Sequence, residues 1–205
     1  MSDRCRALSN PLNVPNPTGF DFTLHIGRLC EDLVARVEPL GHIDMTRVGV
    51  AFRQTRAGGR VGMHASLTPL RFPGGQTHRE RRGRTWRIQR VDLGGREVLY
   101  LLNFYLPRFL DLPFGEKLTT VAHELWHIGP RFDGDLRRFG GRCYAHSGSQ
   151  RRYDAHAQRL VDLWLASGPS EELYGFLRLD FRGLQSQHGR IYGRKIPIPK
   201  LVPVD

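Results

Sequence analysis

Lysine is almost missing from this strongly basic chain. The 205 residues include 28 arginines but only three lysines (Lys117, Lys195 and Lys200), and the formal net charge is +11. Arginine side chains bind phosphate oxygens in a bidentate manner, so this bias is compatible with a phosphate-bearing partner. The arginines are spread along the whole chain, however, and we favour the simpler explanation of a GC-rich coding sequence.

Cysteine pairs and long apolar runs are also missing. Cys5, Cys30 and Cys143 lie far apart and form no CxxC pair, which argues against a disulfide framework or a zinc ribbon. No stretch reaches the roughly 18 apolar residues that a membrane span needs. Residues 1–20 hold no apolar run of the kind that signal peptides contain. We therefore expect a cytoplasmic protein with free thiols and no membrane association.

The composition is that of one globular domain. Forty per cent of the residues are apolar, which is enough for a chain of this length to bury a core. Residues 1–20 are rich in proline and asparagine and read as an irregular lead-in. Residues 21–188 are expected to form the single domain, and residues 189–205 a proline-rich, extended and loosely attached tail.

Apolar spacing predicts both helices and strands. The segment "DFTLHIGRLCEDLVARV" has helical spacing from Phe22 to Val37, and "RVGVAFRQTR" alternates as a strand does. The run "EVLYLLNFYL" is apolar on both faces and should lie inside a sheet. We expect it to form a hairpin with "TWRIQRV" across the turn "DLGGRE". These elements predict an α+β fold with a small mixed sheet.

Two longer helices follow. The first begins near Phe114, has Leu118, Val121, Ala122 and Leu125 on one apolar face, and ends at Gly129–Pro130. The second follows Ser149, a possible N-cap, and its predicted inner residues are Tyr153, Leu160, Leu163 and Trp164. A short helix over "EELYGFLRL" comes next.

The first of these helices carries the pattern HExxH. His123 and His127 are one turn apart on one helix face and can bind a single zinc ion at about 2.1 Å each. Glu124 is rotated by about 100° from His123, which places its carboxylate beside the metal. It can then take a proton from a zinc-activated water and pass it to a leaving amine. A pair of surface histidines is the alternative.

Three residues are candidates for a third zinc ligand. His146 lies 19 residues after His127, at the start of the second helix, and we rank it first. His156 lies on the predicted inner face of that helix and ranks second, since a lone histidine there is more often part of the core. Asp133 ranks last. The patterns that use its position need a glycine where this chain has Pro130, and no methionine follows Met63 to form a methionine turn.

The run "HELWHI", followed by "FDG" and "LR", resembles the phage-type metallopeptidase family. It is more distantly similar to SprT-like proteases. The resemblance covers residues 98–165 and implies a zincin-like fold in which the sheet packs on the HExxH helix. It implies zinc-dependent hydrolysis of peptide bonds, with His123, His127 and His146 as ligands and Glu124 as the catalytic base. The chain lacks the cysteine zinc ribbon of SprT-like proteins, so their DNA-directed role is not implied.

Other groups have less certain roles. Tyr144, Tyr153, Arg142 and Arg151 are candidates for stabilising an oxyanion. Asp133 and Asp135 either orient the ligand histidines or form a simple turn.

The segment from Arg79 to Arg90, which includes Trp86, reads as a basic loop. It is either a solvated hairpin loop, which we favour, or a surface that holds nucleic acid by charge and stacking. Two further functions are therefore kept beside the peptidase. One is a nucleic-acid-associated protein, of which a protease acting on DNA-bound proteins is one form, and the other is an inactive zincin-fold binding module.

Overall fold

The computed structural model describes residues 19–56, 61–138 and 150–204 of the chain. Its architecture is α+β, as the sequence predicts, with small sheets and several helices. Over these residues no helix combines the length and the apolar character needed to cross a membrane.

The helices of the described chain are α1 (Phe22–Arg36), α2 (Phe114–Trp126), α3 (Gln150–Ala166), α4 (Glu171–Tyr174) and α5 (Phe181–His188). The strands are β1 (Phe20–Asp21), β2 (Val48–Gln54), β3 (Ala65–Pro69), β4 (His78–Arg81), β5 (Arg84–Ile88), β6 (Asp92–Leu93), β7 (Arg96–Glu97), β8 (Tyr100–Leu106), β9 (Ile191–Tyr192) and β10 (Leu201–Pro203).

The central sheet has the strand order β2-β8-β3. Strand β8 lies in the middle, parallel to β2 and antiparallel to β3. Its apolar character on both faces is thereby explained, because Tyr100, Leu102 and Phe104 join the main core while Leu101 packs into a smaller cluster. Strand β3 is thus one of the two edge strands of this sheet.

The main core lies between this sheet and the helices. The predicted apolar face of α2 is fully buried, as are Phe22 and Leu29 of α1 and Trp164 of α3. Asp21 caps α1 by accepting a hydrogen bond from the backbone N–H of Leu24. Leu163 does not face inward as predicted. It is 56% exposed, and Ala157 and Val161 occupy the inner face instead.

Two predictions about this region are wrong. The basic segment from Arg79 to Arg90 is not a loop, since β4 and β5 pair as a hairpin whose turn residues, Arg82 and Gly83, both have positive φ. The strand predicted over "TWRIQRV" is present as β5. Strand β5 also does not pair with β8. The "DLGGRE" turn joins only the short strands β6 and β7.

The C-terminal segment is extended but not loosely attached. Strand β9 pairs with β1, and β10 pairs with β5 to complete a sheet of order β10-β5-β4. Ile196 is buried in the smaller apolar cluster. The expected loose attachment is therefore wrong, because backbone pairing and side-chain burial both fix this segment.

A buried lysine ties α2 to the chain that follows α3. Lys117 is only 2% exposed, and its Nζ donates hydrogen bonds to the carbonyl oxygens of Leu177 and Leu179, at 2.8 and 2.7 Å. Burial lowers the pKa of Lys117 to about 8, against the pull of Asp180 and Asp111. The HExxH helix is thus anchored on its buried side by main-chain acceptors.

Lys117→Met gives a test of this anchor. Between pH 8 and 10.5 the unfolded state holds a proton on Lys117 that the folded state has released, so the wild-type free energy of unfolding should rise with pH there. Methionine has no such titration. We expect the difference in unfolding free energy, wild type minus variant, to grow by about 2 kcal/mol from pH 7 to pH 10 in urea titrations. A difference that is constant or shrinks with pH would contradict the burial of a charged Lys117.

Candidate metal centre

Helix α2 brings its two histidines together. The Nε2 atoms of His123 and His127 lie 3.1 Å apart, and the ring planes are inclined at 75° with their centroids 4.8 Å apart. His127 is the C-cap residue of α2 and still has helical φ and ψ. One face of the last helical turn therefore presents two imidazole nitrogens to a common point.

Residues near the start of α3 contact the other ring nitrogen, Nδ1, of both histidines. The hydroxyl of Tyr153 lies 2.9 Å from Nδ1 of His127, and a carboxylate oxygen of Asp154 lies 3.4 Å from Nδ1 of His123. The Tyr153 ring contacts both imidazoles and is itself buried. A carboxylate or hydroxyl on one ring nitrogen fixes the ring orientation and leaves the other nitrogen available as a ligand.

This arrangement fits a shared metal ion. Two nitrogen atoms 3.1 Å apart can both lie at the zinc–nitrogen distance of about 2.0–2.1 Å from one point. A carboxylate, as Asp154 provides for His123, is a common outer partner of a zinc-bound histidine. The same pair can also share a proton between the two Nε2 atoms, with the tautomers set by Tyr153 and Asp154.

Glu124 lies between α2 and the edge strand β3. It is 9% exposed, and burial raises the pKa of its carboxyl to about 7, partly opposed by a hydrogen bond with the backbone of Leu67. Glu124 projects from the helix in a different direction from the two histidines. Its carboxylate can therefore act on a group beside a metal instead of binding the metal itself. This is the position that a general base requires.

A cleft of about 910 Å³ opens in front of these groups. His123 and Glu124 line it from α2, Asp154 lines it from α3, and Met63 and His64 line it from the chain entering β3. A substrate in this cleft would therefore lie beside both the candidate base and a sheet edge.

The structure does not place all of the predicted ligands. His146 lies outside the described residues, as do Arg142 and Tyr144. Within the described chain, no group of three or more His, Cys, Asp or Glu side chains has the arrangement of a metal site. His123 and His127 are brought together as predicted, and the third position is not defined by these residues.

His156 packs against a different neighbour. Its ring packs against that of Trp126 with centroids 4.1 Å apart and planes inclined at 41°, and its Nδ1 lies 3.2 Å from a guanidinium nitrogen of Arg159. Burial lowers the pKa of His156, as do the charges of Arg159 and Arg137. These contacts resemble those of a packed histidine on the helix interface.

The "DGD" segment forms a turn, which was one of the two predicted roles. Asp133 accepts a hydrogen bond from the backbone of Asp135 and pairs with Arg131. Asp135 accepts from the backbone of Gly74 and pairs with Arg138. These bonds occupy both carboxylates within the loop that follows α2.

The orienting role instead falls to Tyr153 and Asp154. Sequence reasoning named Tyr153 only as an inner-face residue and an oxyanion candidate, and it missed Asp154 altogether. The available signal was their position at the start of α3, which had to pack against α2 if His146 or His156 was to approach His123 and His127.

Comparison of the chain with known proteins identified no relative. No protein-family model, no curated protein and no solved structure matches it.

The orienting residues can be tested by metal affinity. We expect Tyr153→Phe and Asp154→Asn each to weaken zinc binding by about 10–100-fold, with Asp154→Asn nearer the lower figure because its side chain is about half exposed. Competition with a chromophoric chelator would measure the affinity. Asp162→Asn on the same helix is the matched control and should bind zinc as the wild type does. Equal affinity in all variants would remove this role.

Proposed function

We propose that this chain is a zinc-dependent metallopeptidase of the zincin type. The observation that carries the proposal is the convergence of the His123 and His127 Nε2 atoms, 3.1 Å apart, where His123 and the buried Glu124 both line an open cleft. The sequence resemblance to phage-type metallopeptidases supports the same assignment. We place the protein in the cytoplasm because its sequence has no disulfide framework.

Each group of the site has a defined part in peptide hydrolysis. Zinc, when bound, supplies a Lewis acid that makes water a nucleophile near neutral pH. His123 and His127 hold it, with Asp154 and Tyr153 fixing their orientation. Glu124 accepts the proton from the attacking water and delivers it to the amine of the departing peptide. The high pKa that burial gives the Glu124 carboxyl suits a group that must carry a proton between these steps.

His146 remains our proposed third ligand. After α2, the backbone N–H of Arg137 donates a hydrogen bond to the carbonyl oxygen of His127, so the chain is still close to the site there. The described part of this segment ends at Arg138. The chain returns at α3, where Tyr153 touches both histidines. His146 lies in the connecting segment, seven positions before Tyr153, a span that an extended chain covers in at most about 25 Å.

Metal content and turnover together test this proposal. We expect one zinc per chain in the wild type and in Glu124→Gln, but at least about a 100-fold loss of turnover on unfolded casein in Glu124→Gln. His146→Ala should lose zinc, while His156→Ala should keep it.

The possible results separate the alternatives. Zinc loss in His156→Ala but not in His146→Ala would reverse the ligand assignment. A protein that binds zinc through His123 and His127 without any turnover would be an inactive zincin-fold binding module. Unchanged turnover in Glu124→Gln would reject the mechanism.

A second candidate function, nucleic-acid binding, is favoured by the sheet β10-β5-β4. Cross-strand partners lie on the same face of a sheet, and the register pairs Arg79 with Trp86 and Arg81 with Arg84. Three arginines and an aromatic ring thus share one face. Phe72 and Trp86 line a groove of about 370 Å³ there, together with Arg79, Arg81 and one acidic residue, Glu80. Charge and stacking of this kind bind single-stranded nucleic acid.

Salt dependence tests this surface. We expect binding of a labelled oligo-dT strand, measured by anisotropy, to survive chelation. Arg79→Gln/Arg81→Gln should reduce the slope of log K against log salt by about 1.4, the value for two phosphate contacts with a single strand. Arg28→Gln/Arg182→Gln removes the same charge from exposed helix positions and should leave the slope unchanged. Equal effects of both double variants would mean that only the overall charge matters.

A further inference from the structure

A second cleft lies next to the metal cleft, at the carboxyl ends of the parallel strands β2 and β8. It has a volume of about 560 Å³. Its lining residues are Phe52, Arg53, Gln54, Thr55, Met63, Tyr105, Arg108, Lys195 and Ile196. Met63 also lines the metal cleft and is about half exposed. A chain lying across Met63 would therefore occupy both clefts.

The two clefts have opposite charge. The metal cleft is lined by the carboxylates of Glu116, Glu124 and Asp154. The second cleft is lined by Arg53, Arg108 and Lys195, and among the described residues no aspartate or glutamate lines it. The sign of the local charge thus changes across Met63.

Within the described chain, Arg53 forms hydrogen bonds with neutral groups. Its guanidinium donates to the side-chain oxygen of Asn103 at 3.2 Å and to the carbonyl of Ile196 at 3.1 Å. These bonds hold the side chain in place without neutralising its charge. Lys195 is exposed, with its Nζ 5.5 Å from the centre of the Phe52 ring. The hydrogen-bonded guanidinium of Arg53 and the exposed ammonium of Lys195 therefore both lie at the second cleft.

Arg108 lies in the wall between the clefts. Gly62, which lines the metal cleft, has a φ of 108°, and a Cβ at this position would overlap the guanidinium of Arg108. A side chain here is disfavoured by the positive φ, and it would also displace the guanidinium of Arg108. The glycine allows the third cation to lie directly behind the rim of the metal cleft.

We propose that this basic cleft is a subsite for carboxylate groups of the substrate, which makes acidic peptides the preferred substrate class. This subsite assignment depends on the proposed peptidase function in one respect, since the same peptide is taken to occupy the metal cleft. The volume is sufficient for a short peptide segment, and complementary charge selects among partners more strongly than it adds affinity. The carboxylates come from Asp or Glu side chains or from the C-terminus of the peptide.

Peptide binding to the full-length chain tests the subsite without turnover. Fluorescein-labelled ten-residue peptides that carry either four Glu or four Gln, each with a free or an amidated C-terminus, would be titrated into zinc-loaded Glu124→Gln protein. We expect the Glu peptides to bind about tenfold more tightly than the Gln peptides, a preference that falls to about twofold or less in Arg53→Gln/Lys195→Gln. A preference that follows the free C-terminus instead identifies the terminal carboxylate as the bound group.

Matched variants separate the subsite from general charge attraction. Arg28→Gln/Arg182→Gln should retain the full preference. Lys195→Glu alone should also reduce the preference for the Glu peptides. Because it changes only an exposed side chain, it tests the subsite even if the variant that lacks Arg53 misfolds. Equal binding of all four peptides, binding of none, or equal loss in the control variant would each overturn the proposal.

The outcomes also distinguish this subsite from the peptidase function. Casein turnover by the wild type with no preference among the peptides rejects the subsite alone. A clear preference in a protein that never hydrolyses casein rejects the peptidase function and leaves the basic cleft as a binding site for acidic peptides.

Discussion

The contact between α2 and the start of α3 is the constraint on which the candidate site depends. His123 and His127 would project from α2 in any folded state of that helix, but their rings could rotate. The Tyr153 hydroxyl and the Asp154 carboxylate each take one Nδ1 atom, and the remaining Nε2 atoms are left 3.1 Å apart. The geometry of two side chains on one helix is thus set by two side chains on another.

The edge strand β3 constrains the site from the other side. The backbone of Leu67 contacts the buried carboxylate of Glu124, so the catalytic candidate is held between a helix and a sheet edge. Because β3 has no strand on its outer side within the described sheet, the cleft is bounded by main-chain groups as well as by side chains. Such an edge can pair with an extended peptide.

Local pattern was enough to find the elements that carry the site. The apolar spacing of α1, α2 and β8 predicted their positions closely, and the HExxH spacing predicted the histidine pair. The hairpin of β4 and β5 was missed because its residues are mostly exposed on both faces, so no apolar alternation marks it.

Contacts between distant residues could not be derived in the same way. The pairing of β8 with β2 instead of β5 joins residues about 50 positions apart, and nothing in the local sequence selects that partner. The same holds for Asp154, which meets His123 across 31 positions. Leu163 fits the helical pattern equally well but faces solvent, since the α3 interface is narrower than its apolar residues suggest.

The anchoring of Lys117 has a consequence for how the protein is made. The histidines and Glu124 are synthesised well before the carbonyl groups of Leu177 and Leu179 that hold Lys117, and before Ile191, which pairs with Phe20. A nascent chain that ends within α3 therefore carries the HExxH helix without the main-chain acceptors that hold Lys117 in the folded protein. The helix reaches its final packing only after these later residues have left the ribosome.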